Sequence, residues 1–268
     1  MEYMICKICG SKTQEVFESK MLNKYDIKYY KCDSCGYLFT EDPFWLEEAY
    51  SRPINLSDTG LLDRNIYFSK ILTVLIYLFF DKKKAFLDYA GGYGVFTRLM
   101  RDIGFDFYWH DPYTQNIFAN GFEIDKTTET KFEILTAFEV FEHLVNPKAE
   151  LEKMLEFSDT VIFSTELMLQ EIPNPKDWWY YGFNHGQHIS FYTEKTLYTL
   201  ANRFKLNYYN VNGIHIITKR KFNKTLLIVF KKLSKFGLYL IVKTLTKSKT
   251  FSDHTMIDNI NNYSDRTK

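Results

Sequence analysis

Residues 86–94, Phe-Leu-Asp-Tyr-Ala-Gly-Gly-Tyr-Gly, decide the fold of this 268-residue chain. A short apolar run ends at Asp88, a loop of small residues follows, and a helical pattern begins at Val95. Glycine suits a backbone that turns tightly and lies close to a ligand, because a Cβ atom would obstruct both. The order is typical of the first strand, loop and helix of a nucleotide-binding α/β domain, in which the Asp88 carboxylate would order the loop.

The spacing of the glycines separates the classes of nucleotide site. The dinucleotide fingerprint G-x-G-x-x-G needs a third glycine where this chain has Thr97, and no phosphate-binding G-x-x-x-x-G-K-[ST] occurs. Asp88-x-Ala90-x-Gly92-x-Gly94 instead resembles the first motif of the class I S-adenosylmethionine (SAM)-dependent methyltransferases. That family usually has glycine in place of Ala90, and we expect alanine to be tolerated there if its φ is negative. A glycine-rich turn without a ligand is the alternative interpretation.

Two later motifs extend the resemblance. Asp111 stands at the predicted end of the second strand, where a carboxylate accepts both ribose hydroxyls of a nucleoside. NAD would be held in the same way, and a helix cap or surface acid is the alternative. The run from Leu135 to Pro147, which contains Glu-His-Leu and Asn-Pro, resembles the fourth methyltransferase motif. The resemblance implies a cofactor site formed by Asp88, Ala90, Gly91, Gly92, Gly94, Asp111, Pro112, Ala137 and Phe138.

Candidates for chemistry on the acceptor lie after the predicted fourth and fifth strands. Glu139 and His143 follow the fourth strand, although His143 could equally be a packing residue. His188, Ser190 and Tyr192 alternate, so they share one face of an extended stretch. This Gln-His-Ile-Ser-Phe-Tyr stretch resembles that of a bacterial methyltransferase group that often carries zinc knuckles. His188 is the first candidate for a general base, followed by His143, Glu139 and Tyr192; the alternative is that His188 fixes the loop.

Aromatic side chains crowd the segment before His188. Aromatic faces bind sugar rings and planar groups, and they stabilise a sulfonium cation. The alternative is that the tryptophans pack against the sheet. The aromatic segment and the group resemblance suggest a sugar, a sugar nucleotide or a glycan as acceptor. The predicted substrate-binding residues are Trp178, Trp179, Tyr180, Tyr181 and His185.

The cysteines form two Cys-x2-Cys pairs, each followed by glycine. Two such turns let four thiolates converge on one ion, which leaves no open position for catalysis. Disulfides are the alternative, disfavoured in a reducing compartment. The spacing therefore predicts one structural zinc ion on Cys6, Cys9, Cys32 and Cys35.

The remaining pattern alternates strands and helices and closes with a hairpin at Asn212-Gly213. We predict an α/β fold, with a doubly wound, mostly parallel seven-stranded sheet of the Rossmann-like methyltransferase type and an antiparallel final strand. The predicted parts are a zinc-knuckle module at 1–40, a linker and leading helix at 41–82, a SAM-binding domain at 83–221, and a basic amphipathic helical extension with a tail at 222–268.

Composition narrows the classes of partner. A formal charge of +1 gives no global electrostatic case for nucleic acid. No signal peptide is visible, and the apolar run 71–80 is too short to span a bilayer, so we expect a cytoplasmic protein. Residues 219–249 hold many lysines and no acidic residue. They would suit a membrane surface or self-association, or simply pack on the domain with the lysines in water.

Taken together, these features predict a SAM-dependent methyltransferase acting on a small-molecule acceptor, with S-adenosylhomocysteine (SAH) as product. An in-line SN2 transfer needs the nucleophile held about 3 Å from the methyl carbon, which is catalysis by proximity. Two other classes stay open. One is an NAD-dependent enzyme on a similar sheet, and the other is a non-catalytic, zinc-containing binding or scaffold protein.

Overall fold

The computed structural model describes residues 4–51, 58–169 and 171–266, with side chains to residue 259. The chain divides into two compact units. The first, here called the knuckle unit, comprises Met1–Asp58 and Ala137–Lys224. The second, here called the glycine-loop unit, comprises Thr59–Thr136 and Thr225–Lys268.

The elements follow one another along both units. The strands are β1 (Gln14–Met21), β2 (Tyr25–Lys31), β3 (Leu38–Thr40), β4 (Ala85–Tyr89), β5 (Asp106–His110), β6 (Leu135–Ala137), β7 (Thr160–Phe163), β8 (Ser190–Phe191), β9 (Asn207–Asn210) and β10 (His215–Thr218). The α-helices are α1 (Leu46–Ala49), α2 (Leu61–Phe79), α3 (Val95–Ile103), α4 (Pro147–Phe157), α5 (Glu194–Arg203), α6 (Lys224–Leu233), α7 (Tyr239–Thr244) and α8 (Thr250–Arg266).

The glycine-loop unit is built around β4. Every residue of β4 is buried, because parallel strands flank it on both sides: β5, starting at the pair Ala85↔Asp106, and β6, at Leu87↔Leu135. Helix α3 begins directly after the glycine loop, as the helical pattern from Val95 predicts. It ends before Gly104, whose φ of +125° suits only glycine.

The knuckle unit contains an antiparallel sheet in the order β1-β2-β3-β8. Strand β8 comes from the segment after His188, and it pairs with β3 at Leu38↔Phe191. The core beneath this sheet combines residues from both ends of the unit, including Tyr29, Trp45 and Tyr181. The predicted module boundary at residue 40 is therefore not the edge of a compact unit.

Strands β7, β10 and β9 of the knuckle unit are antiparallel, as the predicted final hairpin requires. Asn212 and Gly213 have φ values of +52° and +89°, which fit the predicted type I′ turn. Outside the four-stranded sheet, the described residues form six strands, of which β5, β4 and β6 are paired in parallel, so the predicted seven strands are not confirmed. The sequence pattern predicts a further short strand at residues 122–125, and the structure has there one parallel bridge, Trp109↔Glu123, followed by a 3₁₀ turn at Ile124–Lys126.

One face of the C-terminal extension packs against the rest of the glycine-loop unit. Val242 of α7 is buried, and Asp253 of α8 forms ion pairs with Arg98 and Arg101 of α3. Other apolar side chains of the extension are exposed: Leu226, Val229, Leu233, Phe236, Leu240, Ile241 and Leu245. None of the described helices is both long and apolar enough to cross a membrane.

Candidate functional site

The peptide of Gly92 is fixed from both sides in the glycine loop. Its N–H donates to Oδ2 of Asp111 (2.9 Å), while its carbonyl accepts from Trp109 Nε1 (2.9 Å) and Thr114 Oγ1 (2.8 Å). The other oxygen of Asp111 accepts from the N–H groups of Tyr113 and Thr114. Asp111 thus orders the loop and the turn that contains Pro112, a role the sequence did not suggest, and binding of ribose by Asp111 stays a prediction.

Asp88 lies beneath the loop and is 3% exposed. Its carboxyl oxygens accept from the hydroxyls of Thr97 and Thr136, each at 3.0 Å. Thr97 stands where the dinucleotide fingerprint has its third glycine. Its hydroxyl provides a hydrogen-bond donor to Asp88 that glycine could not provide. A Cβ atom on Gly91 would lie 2.7 Å from Asp88 Oδ2, which explains the glycine there.

The loop backbone is strained at Ala90. Its φ of +53° lies in the left-handed region, so the condition under which we expected alanine to be tolerated is not met. The conformation costs an alanine about 1 kcal/mol or more, and glycine would avoid this cost. Gly92 and Gly94 also have positive φ, and a Cβ atom on Gly94 would lie 2.5 Å from Asn116 Oδ1. The hydrogen bonds around Gly92 hold the loop in this conformation.

Burial raises the pKa of Asp88 from 3.8 to about 7, although the Thr97 and Thr136 hydroxyls oppose the rise. The folded state therefore binds this proton more tightly than the unfolded state does, and stability should fall as pH rises from about 4 to about 7. The cost reaches at most about 4 kcal/mol above pH 7. We expect Asp88→Asn to lessen this fall, as measured by urea unfolding at pH 5 and pH 8. Asp125→Asn, at an exposed carboxylate, is the control; an unchanged pH dependence in Asp88→Asn would contradict the assignment.

The four cysteines converge in the knuckle unit as the spacing predicted. All four are free, and the Sγ–Sγ distances are 3.6 Å for Cys6–Cys35 and 3.3 Å for Cys9–Cys32. Four thiolates at about 2.3 Å from one zinc ion lie about 3.8 Å apart, so small shifts accommodate the ion. Donation from Cys35 lowers the pKa of Cys6 to about 5, which favours a thiolate. The donor set suits the predicted zinc ion.

The cysteine-containing turns form hydrogen bonds with the segment after His188 and with α5. The Tyr37 hydroxyl is 2.6 Å from Ser190 Oγ, and Thr196 Oγ1 donates to the Cys35 carbonyl (2.9 Å). Arg203 also donates to the Cys9 carbonyl. The cysteine-containing turns therefore support the segment around Ser190 and the helix α5.

Glu142, His143 and His188, here called the histidine cluster, come together in the knuckle unit. Three contacts join the turn at Phe141–His143 to the segment around His188. His143 Nδ1 lies 3.1 Å from the Gln187 carbonyl, Ile189 N–H donates to the Glu142 carbonyl (2.9 Å), and Ser190 Oγ donates to the Leu144 carbonyl (2.6 Å). The positions of both histidines are therefore set by backbone contacts.

The two histidines of the cluster differ in their contacts at Nδ1. His188 Nδ1 contacts the Tyr180 carbonyl at 2.6 Å, and because a carbonyl only accepts, Nδ1 of His188 carries the proton and Nε2 keeps a lone pair. His143 Nδ1 lies 3.1 Å from the Gln187 carbonyl and 3.0 Å from the Tyr50 hydroxyl, which can donate or accept. Burial lowers the pKa of His143 to about 4 and the pKa of His188 well below its ordinary value.

Glu139 is held at the end of β6 in a left-handed conformation with a φ of +54°. Its N–H donates to Ser164 Oγ (2.9 Å), and that hydroxyl donates to Glu139 Oε1 (2.6 Å). Strained backbone of this kind is frequent at functional sites. Of its neighbours, Ala137 is buried and Phe138 is partly buried.

Several predicted acceptor-side residues are instead part of the core. Tyr192 is fully buried and donates its hydroxyl to the Phe141 carbonyl (2.7 Å), so its catalytic assignment was wrong. Tyr180 and Tyr181 are buried, and Trp178 is partly buried against the same core, so of the two tryptophans only Trp178 fits the packing alternative. Trp179 is 78% exposed, and His185 Nδ1 accepts from the Gln187 N–H.

The sequence indicated no role for Glu142, which the structure places beside His143 and His188. The residue stands in the Glu-His-Leu motif, so the motif was the available signal. Its complete burial was not visible, because it depends on the segment 187–190 folding over the turn at Phe141–His143.

A family model described as "Methyltransferase domain" matches residues 64–211, more than half of the chain. The chain therefore belongs to this methyltransferase family, which confirms that part of the resemblance seen in the glycine loop. No curated protein matches the chain.

Solved structures show weaker likeness. The plantazolicin methyltransferase BpumL in complex with SAH is 13% identical, with a TM-score of 0.44, over 67% of this chain and 95% of that one. A magnesium protoporphyrin IX methyltransferase from Synechocystis with bound SAM is 10% identical, with a TM-score of 0.36, over 65% of this chain and 90% of that one. The family assignment rests on the family model alone.

Proposed function

We propose that the protein is a SAM-dependent methyltransferase acting on a small-molecule acceptor. The observation that carries the proposal is the glycine loop of a methyltransferase-family domain, in which Asp111, Trp109 and Thr114 fix Gly92 by hydrogen bonds. When bound, SAM supplies an electrophilic methyl group on a sulfonium sulfur. The loop from Asp88 to Gly94 would hold the cofactor, and Asp111, with Pro112, Ala137 and Phe138, would complete its site.

We propose that His188 and His143 act on the acceptor, with Glu139 as a further candidate. The hydrogen bonds of Nδ1 to backbone carbonyls support this role, because they orient both rings. A hydroxylated acceptor of the sugar or glycan type is proposed on the group resemblance and on the exposed indole of Trp179, a face on which such a ring stacks.

The test of the proposed function is transfer of label from methyl-tritiated SAM into a metabolite extract, with formation of SAH. Label in a small polar product would support the proposal, and fractionation would identify the acceptor. SAH formation absent from every extract, with SAM bound, would favour the binding or scaffold class. Reduction or oxidation of NAD would favour the dehydrogenase class.

Replacing His188 should impair turnover more than cofactor binding. A group that acts on the acceptor contributes about 10²-fold or more to turnover. We therefore expect His188→Ala to lower kcat by about 10²-fold while the Kd for SAM stays within a few-fold. Steady-state kinetics and calorimetry measure the two quantities. His254→Ala on α8 is the control, and full turnover in His188→Ala would move the assignment to His143.

Compartment and surface contacts are also proposals. A reducing cytoplasm would preserve the four free thiols. The exposed apolar side chains of the C-terminal extension, with neighbouring lysines, would suit a membrane surface or a second copy of the chain.

A further inference from the structure

We propose that the histidine cluster binds a divalent transition-metal ion, with zinc the best match, in addition to the zinc ion of the cysteines. One carboxyl oxygen of Glu142 and one ring nitrogen each of His143 and His188 lie within 4.8 Å of one another. Three protein ligands leave coordination positions open for an oxygen of a small molecule. The metal site itself does not depend on the proposed function. Only the further step, that the bound small molecule is the methyl acceptor, rests on it.

Among the described residues, the buried Glu142 carboxyl group has no hydrogen-bond partner that would offset the cost of its burial. The residue is 0% exposed, and within the described residues neither oxygen has a hydrogen-bond partner. The Thr165 and Tyr180 hydroxyls approach closely enough to influence it but miss hydrogen-bond geometry. An unpaired carboxyl in the interior is costly, whereas a bound cation would compensate the charge directly.

The two imidazoles are already prepared as ligands. A metal-bound histidine typically donates its second ring N–H to a carbonyl or carboxylate, which fixes the tautomer and the ring orientation. Both His143 and His188 make this contact through Nδ1, to the carbonyls of Gln187 and Tyr180. The lone pair of His188 is therefore at Nε2, while His143 Nδ1 also lies 3.0 Å from the Tyr50 hydroxyl. Both histidines are partly exposed.

The donor set indicates the class of ion. Magnesium and calcium prefer sites made only of oxygen ligands, whereas two imidazoles and one carboxylate suit zinc and its neighbours in the first transition row. Two histidines and one glutamate with an open fourth position form a known type of zinc site.

His185 provides a matched comparison in the same segment. Its ring lies 4.7 Å from the ring of His188, but its Nδ1 accepts from the Gln187 N–H, so its proton sits on Nε2. In His185, Nδ1 therefore already accepts a hydrogen bond and Nε2 is protonated. His185 should not bind the metal ion of the histidine cluster.

The experiment measures metal content and affinity in the full-length protein. After dialysis against zinc and removal of free metal, wild type should retain two zinc ions per chain. Glu142→Gln and His188→Gln should each retain one zinc ion, because the affinity of the histidine cluster for zinc should fall by about 100-fold or more. A loss of that size exceeds the usual effect of removing a residue that only contacts a metal ligand. His185→Gln should retain two, and magnesium should not compete.

Cobalt substitution distinguishes the sites, because four thiolates give intense charge-transfer absorption and a nitrogen-oxygen set gives only weaker visible bands. Loss of the weaker bands alone in Glu142→Gln and His188→Gln, with unchanged circular dichroism, would support the site. A single zinc ion in wild type, or two in every variant, would overturn it. SAM binding or turnover in wild type with one zinc ion would leave the methyltransferase proposal standing.

Discussion

Cys32→Ser should release the zinc ion and loosen far more of the chain than residues 4–40. Structural zinc sites contribute about 10–16 kcal/mol in small peptides, so loss of one ligand removes much of the support for both knuckles. Strand β3 pairs with β8, and Thr196 Oγ1 donates to the Cys35 carbonyl. We therefore expect faster hydrogen exchange at 187–191 as well as at the knuckles, measured by mass spectrometry together with zinc analysis.

Ser34→Ala is the matched control for Cys32→Ser, because Ser34 is exposed within the same knuckle. The control should keep its zinc ion and its exchange pattern. Zinc loss in Cys32→Ser with unchanged protection at 187–191 would show that the knuckles form an independent module, as the sequence suggested. A disulfide-bonded wild type without zinc would contradict the site itself.

Gly94→Val should weaken SAM binding by about 100-fold, or ~3 kcal/mol. Gly94 has a φ of +83°, and a Cβ atom there would lie 2.5 Å from Asn116 Oδ1 and 3.2 Å from the Ala119 backbone N. A branched side chain would therefore both strain the backbone and displace the loop at the start of α3. Isothermal titration calorimetry with SAM measures the effect.

The control for Gly94→Val is Gly213→Val, which separates backbone strain from crowding. Gly213 has a similar φ of +89°, but no atom lies within 4 Å of the Cβ position. This variant should lose stability and keep the wild-type Kd for SAM. Equal affinities in wild type and Gly94→Val, with both proteins folded, would rule out the glycine loop as the cofactor site.

Features set by local sequence were predictable. The helix from Val95 to Ile103, its end at Gly104 and the turn at Asn212-Gly213 follow from hydrophobic spacing and from the backbone preferences of glycine and asparagine. The convergence of the cysteines followed from their spacing in the same way.

Features set by long-range contacts were not predictable. The pairing of β8 with β3 joins residues about 150 positions apart, so the zinc knuckles could not be linked to His188 from sequence. The burial of Tyr192 and the isolation of the Glu142 carboxyl likewise depend on which segments fold over them. The positive φ of Ala90 is imposed by the hydrogen bonds around the loop, against the preference of alanine.

Calorimetric titration of the zinc-loaded, full-length protein with SAM, SAH and NAD tests most directly whether the glycine loop is a SAM site. We expect SAM and SAH each to bind one molecule per chain, NAD not to bind, and Gly94→Val to weaken the binding of both SAM and SAH. Binding of NAD at the glycine loop, or no binding of SAM and SAH to folded protein, would contradict a SAM site there.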